Sequence, residues 1–91
     1  MSTRHAAGPI RVLVADDSST MRSLVVEVLS AVPEIAVVGE AGDGLQAVRE
    51  ARRLEPDIVT MDVRMPNMDG IEAIRRIMQE RPCRIIVVTG V

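Results

Sequence analysis

The feature that most constrains the fold is a regular alternation of short apolar runs with longer amphipathic segments. The apolar runs have the length and composition of buried strands, whereas the segments between them repeat apolar residues at helical spacing. Strands that alternate with helices form parallel sheets with right-handed crossovers. The sequence therefore predicts an open parallel α/β sheet with helices on both faces and strands at residues 10–15, 35–38, 58–61 and 85–88.

Three helices are predicted between these strands. Ser18 or Ser19 caps the first helix, which Pro33 stops. The second follows the turn at residues 42–44, with Asp43 as a turn residue, and the third spans about 69–80, with Asp69 as its N-cap. The residues predicted to face the core are Met21, Leu24, Val25, Val28, Leu29 and Val32 in the first helix, Leu45, Val48, Ala51 and Leu54 in the second, and Ile71, Ile74, Ile77 and Met78 in the third.

Composition places the chain among small globular domains. It has 91 residues, 47% of them hydrophobic, and a formal net charge of −2, which is too balanced to indicate nucleic acid or a lipid surface as a direct partner. The lone Cys83 excludes an internal disulfide and fits a reducing, cytoplasmic compartment; a packing role is favoured over a redox role. No apolar run approaches the roughly 20 residues that span a bilayer. Residues 1–9 are predicted to be a flexible leader, in which His5 is not expected to be a ligand.

Polar side chains follow three of the four predicted strands. Asp16 and Asp17 follow the first, Asp62 follows the third, and Thr89 follows the fourth. The carboxyl ends of parallel strands share one edge of the sheet, which is where ligands bind in open α/β folds. If the strands are neighbours, three carboxylates converge there and repel each other. Mg²⁺ prefers such oxygen ligands, and the backbone carbonyl of Arg64 could add another.

A carboxylate beside Mg²⁺ can also act as a nucleophile toward phosphorus and form an aspartyl phosphate. Asp62 is the candidate nucleophile, and the Thr89 hydroxyl could bond the new phosphoryl oxygens, so that it acts as a switch. Taken singly, each acid could equally be a solvated turn or cap residue. The ordered combination of acids and hydroxyl is what favours a site.

The chain resembles the receiver domain of two-component response regulators from Ile10 to its end. The resemblance rests on the Val-Leu-Val-Ala-Asp-Asp-Ser run at 12–18, Gly-Asp-Gly at 42–44, the Met-Asp-Val-Arg-Met-Pro-Asn-Met-Asp-Gly run at 61–70, and Ile-Val-Val-Thr at 86–89. It implies a flavodoxin-like fold and phosphorylation of Asp62 by a sensor histidine kinase. It also implies that Asp17 binds Mg²⁺ directly and Asp16 through water, with the Arg64 carbonyl as a further ligand and Thr89 as the switch hydroxyl.

The chain departs from the family after strand four. Receivers have five strands in the order 2-1-3-4-5 and a Lys after the fifth, whereas this chain has no Lys. We therefore expect residues 10–91 to form a receiver that lacks the helix, strand and helix following strand four. Its output domain is then absent, and the bare edge strand predicts self-association.

Two segments, 56–62 and 78–82, are most similar to the regulatory domain of the chemotaxis protein-glutamate methylesterase. The full-length protein would then be an enzyme, although this chain is not expected to be one. The alternative is the receiver of a DNA-binding transcriptional regulator, which shares the pattern at 37–41. A Mg²⁺-dependent aspartyl phosphatase is less favoured because Arg64 stands where a second acid is expected. A flavin- or nucleotide-binding domain is also less favoured, because it would need a Gly-rich loop after strand one. This chain has Asp16-Asp17-Ser18-Ser19 there.

Overall fold

The computed structural model describes residues 8–88, which form a parallel four-stranded sheet and three helices. The strands are β1 (Ile10–Ala15), β2 (Ile35–Ala41), β3 (Ile58–Asp62) and β4 (Arg84–Val88). The helices are α1 (Ser19–Ser30), α2 (Gly44–Leu54) and α3 (Gly70–Glu80). The strand order is β2-β1-β3-β4, as the predicted flavodoxin-like topology requires.

The main core lies between one face of the sheet and helices α2 and α3. Leu13, Val59 and Met61 are completely buried on this face, and they pack with Ala47 of α2 and Ile77 of α3. Helix α1 packs over β1 and β2, and it contributes nothing to this cluster. The prediction of helices on both faces of a parallel sheet is therefore confirmed.

Strand β2 is longer than its sequence pattern predicted. It continues past residue 38 to Ala41 because pairing with β1 resumes after an irregularity, where Val12 pairs with Val37 but Leu13 pairs with Gly39. Gly and Glu are weak strand formers, so the local sequence hides this extension. The longer pairing brings the carboxyl ends of β1 and β2 level with each other.

The apolar stripe predicted for α1 is only partly covered. No residue of this helix is buried, and Leu24 and Val28 are 49% and 59% exposed. The helix ends at Ser30, so Val32 lies beyond it and is exposed. The physical reason is that α1 contacts mainly β1 and β2, so the rest of its apolar surface has no covering element among residues 8–88.

The inward faces of α2 and α3 also differ from prediction. Leu45, Ile71 and Met78 are exposed, whereas the small residues Ala47 and Ala73 are completely buried. The two helices pack against each other, α2 also packs against β1 and β2, and α3 also packs against β3. Where elements lie this close together, small side chains such as Ala fit between them. The remaining predicted core residues of these helices are buried or partly buried: Val48, Ala51, Leu54, Ile74 and Ile77.

Each helix begins with a side-chain cap directly after a strand or loop at the carboxyl edge of the sheet. The Ser18 hydroxyl accepts from the Met21 amide at 3.2 Å, and the Asp69 carboxylate accepts from the Glu72 amide at 2.9 Å. Asp43, predicted to be a turn residue, is instead the N-cap of α2. The positive ends of the helix dipoles are therefore at the edge that holds the acids.

Candidate functional site

Three carboxylates meet where β1 and β3 end. The strands are parallel neighbours in which Ala15 pairs with Met61, so the next residues, Asp16 and Asp62, emerge side by side. Asp16, Asp17 and Asp62 each offer a carboxylate oxygen, and these oxygens all lie within 4.8 Å of one another. The structure thus brings together acids that are 46 positions apart in the sequence.

Asp16 is the rigid member of the cluster, with 8% of its surface exposed. Its amide donates to the Ala41 carbonyl at 3.0 Å, and its Oδ1 accepts from the Ser18 amide at 2.9 Å. The Asp16 carbonyl accepts from the Arg22 guanidinium at 2.7 Å. Backbone and carboxylate are therefore both held in place, while Asp17 beside it is exposed to solvent.

Asp62 is half-buried at the end of β3, where it pairs with Val88. Its Oδ1 accepts from the Arg64 amide at 3.2 Å, and the Gly70 amide donates to the Val63 carbonyl at 2.9 Å. These bonds fold the start of the loop back onto the strand end. The role of the Arg64 carbonyl as a metal ligand stays a prediction.

The electrostatics of the cluster favour a bound cation. Two unit charges at this separation repel by about 3 kcal/mol at an effective dielectric constant of 20. Within residues 8–88 no salt bridge reaches these carboxylates, because the nearby Arg22 pairs with Glu40 at 3.1 Å. An all-oxygen set of donors suits a hard divalent cation such as Mg²⁺. The chemistry of the residues therefore fits the predicted metal.

The loop from Val63 to Asp69 is anchored to the core and to α2. Met65 and Met68 are buried, whereas Pro66 and Asn67 form the exposed tip. Asn67 has a left-handed backbone (φ 69°), and its side-chain amide donates to Asp43 Oδ2 at 2.9 Å. This cross-link was not predicted. The available signal was the Pro-Asn pair, since Asn tolerates a positive φ better than most residues.

Two glycines let the backbone close around the site. A Cβ at Gly44 would overlap the Met68 carbonyl, and a Cβ at Gly70 would overlap the carbonyl of Asp62 itself. Both follow an N-cap aspartate at the first position of a helix. The sequence predicts Asp43 as a turn residue and Asp69 as an N-cap, whereas the close approach that the following glycines allow appears only in the fold.

Two predicted positions lie outside the described residues, namely His5 and Thr89. The assignment of Thr89 as the switch hydroxyl therefore stays a prediction. Cys83 is half-buried and packs against the core, and its burial raises the pKa of the thiol. A raised pKa lowers the thiolate fraction, which agrees with the favoured packing role rather than a redox role.

A cleft of about 320 Å³ lies between the C-terminal halves of α2 and α3, at the opposite edge of the sheet. Val48, Ala51 and Ile77 are among its lining residues. At its rim the Arg52 guanidinium donates two hydrogen bonds to the Glu80 carboxylate, at 2.8 and 2.7 Å. The charges of Arg52 and Glu80 therefore satisfy each other.

None of the helices formed by residues 8–88 is long and apolar enough to cross a bilayer.

Comparison with known proteins agrees with the geometry. The family model described as the response regulator receiver domain matches residues 12–91. A protein-glutamate methylesterase/protein-glutamine glutaminase of Myxococcus xanthus is 57% identical over 81 residues, which are 89% of this chain and 23% of that protein. The chain thus spans about a quarter of the length of such curated relatives. The corresponding enzyme of Thermotoga maritima is 49% identical and is covered to 24%.

Solved structures give the same result. The response regulator domain of Thermotoga maritima CheB superimposes with a TM-score of 0.88 at 49% identity, covering 89% of this chain and 60% of that one. CheY in the CheX–CheY–BeF₃–Mg²⁺ complex of Borrelia burgdorferi gives a TM-score of 0.88 at 28% identity, covering 98% and 68%. These matches favour the methylesterase type over the transcription-factor and phosphatase alternatives. The chain belongs to the family of response regulator receiver domains, and it is a receiver of the CheB type.

Proposed function

We propose that Asp62 accepts a phosphoryl group from the phosphohistidine of a sensor histidine kinase, with Mg²⁺ held by Asp16, Asp17 and Asp62. The observation that carries this proposal is the convergence of three carboxylates within 4.8 Å at the ends of β1 and β3. A structural relative, the CheY of Borrelia burgdorferi, has been solved with BeF₃ and Mg²⁺. An acyl phosphate forms when a carboxylate attacks phosphorus, so the nucleophile must be reachable, and Asp62 is only half-buried.

In the proposed transfer, a carboxylate oxygen of Asp62 attacks the phosphorus, and the P–N bond to the donor histidine breaks. The bonding electrons return to the imidazole nitrogen, which takes a proton from solvent. The bond from the Arg64 amide orients Asp62 Oδ1 and leaves the other carboxylate oxygen as the candidate nucleophile. Bound Mg²⁺ would supply screening of the negative charges on the carboxylates and the phosphoryl oxygens. We propose the Arg64 carbonyl as a further ligand and Thr89 as the switch hydroxyl.

The output we propose is regulation of a protein-glutamate methylesterase domain. The relatives that carry this name are about four times as long as the chain, and they match it with 49% to 57% identity. We place this phosphoryl transfer in the cytoplasm, because the lone Cys83 fits a reducing compartment. The receiver itself would serve as the phosphorylated regulator rather than as the catalytic domain.

The first prediction concerns the metal. At ten times its dissociation constant, Mg²⁺ should stabilise the chain by about 1.4 kcal/mol and raise its Tm by about 7 °C. Asp17→Asn should remove most of this rise, because it deletes one charge from the cluster at constant size. Since the chain has no aromatic residue, unfolding is best followed by far-ultraviolet circular dichroism.

Asp69→Asn is the matched control for that experiment. Asp69 carries the same charge but is the N-cap of α3 and lies outside the carboxylate cluster, and Asn caps helices equally well. This variant should keep the full Mg²⁺-dependent rise. An equal response from the Asp17→Asn variant and the unmodified chain would exclude Asp17 as a ligand.

We also propose that the isolated chain self-associates through its edge strand β4. This strand pairs with β3 alone among residues 8–88, and Ile86 and Val88 on it are 51% and 37% exposed. Light scattering should show a mass that rises with concentration, and Ile86→Lys should return the chain to monomers. Ile71→Lys is the control, since Ile71 is 62% exposed on α3. A monomer at all concentrations would contradict the proposal.

A further inference from the structure

We propose that the hydrogen bond from Asn67 to Asp43 is a clip that positions the loop following Asp62 for metal binding. Asn67 lies in the loop between β3 and α3, whereas Asp43 is the N-cap of α2, a separate element. The proposal rests on the proposed function, because it assigns these two residues a role in shaping that metal site. Neither residue belongs to the carboxylate cluster, so both are positioning residues.

The two oxygens of Asp43 make separate bonds. Oδ1 accepts from the Gln46 backbone amide at 2.8 Å and caps α2, while Oδ2 accepts from the Asn67 side chain at 2.9 Å and, at the longer distance of 3.5 Å, from the Gln46 side-chain amide. Gln46 also ties the turn before Asp43 to α2, since its side-chain oxygen accepts from the Gly42 amide at 3.0 Å. The capping bond from Gln46, and more weakly the bond from Asn67, lower the pKa of Asp43. Asp43 therefore stays charged, and remains a strong acceptor, at neutral pH.

The clip acts at the exposed tip of the loop, which lies between the buried Met65 and Met68 and is closed by a bond from the Met68 amide to the Pro66 carbonyl at 2.7 Å. Asp62 fixes the beginning of the loop, and the Gly70 amide fixes its end through the Val63 carbonyl. Pro66 and Asn67 project between the two buried methionines. The backbone of Arg64 therefore lies between Asp62, which accepts from its amide, and the buried Met65, and the bond from Asn67 holds the loop beyond Met65.

The left-handed backbone at Asn67 supports this interpretation. A positive φ is unfavourable for a residue with a side chain, although Asn adopts it more readily than most. At φ 69° the Asn67 side chain reaches across to α2. Gly44 at the first position of α2 allows the approach, because a Cβ there would overlap the Met68 carbonyl.

Two single variants separate the clip from the features around it. Asp43→Ser keeps a good N-cap but removes the second acceptor oxygen, and Asn67→Gly keeps the positive φ but removes the amide. Isothermal titration calorimetry of the 91-residue chain with Mg²⁺ alone should show each variant binding about threefold more weakly. The double variant should bind no more weakly than either single variant, because both remove the same bond.

Two further variants test charge and capping. Asp69→Ser makes the same change at the N-cap of α3, whose carboxylate forms the cap bond to the Glu72 amide, and it should leave the affinity within about twofold. Asp43→Asn keeps a cap oxygen and offers an amide that can bond Asn67 after the Asn67 amide turns over. Asp43→Asn should therefore bind Mg²⁺ nearly as tightly as the unmodified chain. If the charge of Asp43 alone were important, this variant would bind as weakly as Asp43→Ser.

The outcomes are distinct. If the unmodified chain binds Mg²⁺ and both single variants bind it equally well while their Tm falls, the bond is merely structural and the clip proposal is wrong. Additive losses in the double variant, or a loss confined to Asn67→Gly, would also overturn it. The proposed function itself requires that Mg²⁺ binding to the unmodified chain produce heat and that Asp17→Asn abolish this heat. If the unmodified chain gives no such heat, or Asp17→Asn gives the same heat, the proposed function fails.

Discussion

Asp62→Asn should abolish phosphorylation of the full-length protein by a small phosphodonor such as acetyl phosphate. The unmodified protein should gain a single base-labile phosphoryl group, because an acyl phosphate forms only on the carboxylate that acts as nucleophile. The amide of Asn keeps the size and the bond from the Arg64 amide but cannot attack phosphorus. The label is measured by mass spectrometry of the intact protein and of its peptides.

The control for this experiment is again Asp69→Asn, seven residues further along, which should be phosphorylated normally. Asp16 and Asp17 lie next to Asp62, so they are the alternative acceptors that peptide mapping must separate. Recovery of the label from Asp62→Asn protein at one of these residues would move the acceptor site to the residues that follow β1.

Gly44→Ala should destabilise the chain by about 3 kcal/mol. In an ordinary helix the change from Gly to Ala is favourable by up to about 1 kcal/mol. Here the added methyl group would overlap the carbonyl of Met68, which is backbone and cannot rotate away. Because the clash outweighs the helix preference for Ala, the net effect of Gly44→Ala on the free energy of unfolding is destabilising. Urea unfolding followed by circular dichroism should show a clearly lower midpoint.

Gly42→Ala serves as the matched control, only two residues away. A Cβ at Gly42 would have Arg22 Nη1 as its nearest neighbour, at 3.5 Å, which is an ordinary contact with a flexible side chain. The effect should therefore be small. Equal midpoints for the two variants would show that the loop can retreat from Gly44, and that its packing on α2 is looser than the structure indicates.

Local patterns were most reliable where one element decides its own environment. The central strands β1 and β3 are buried on both faces, so their apolar runs were recognised at nearly their true limits. Prediction of the buried residues failed where contacts with a neighbouring element decide which face of a helix is covered. Four of the six residues of the stripe predicted for α1 are exposed, and completely buried positions of α2 and α3 are Ala47 and Ala73, because the neighbouring elements set which face of each helix is covered.

The sequence by itself determined the alternation of strands and helices and the placement of acids at strand ends, because period and residue type act locally. The tertiary structure decided which strands are neighbours, and so brought Asp62 beside Asp16 and Asp17. It also decided the bond from Asn67 to Asp43 and the close packing at Gly44. Those features join residues about 24 or more positions apart, and no pattern within one segment can encode a distance that only the packing of several segments sets.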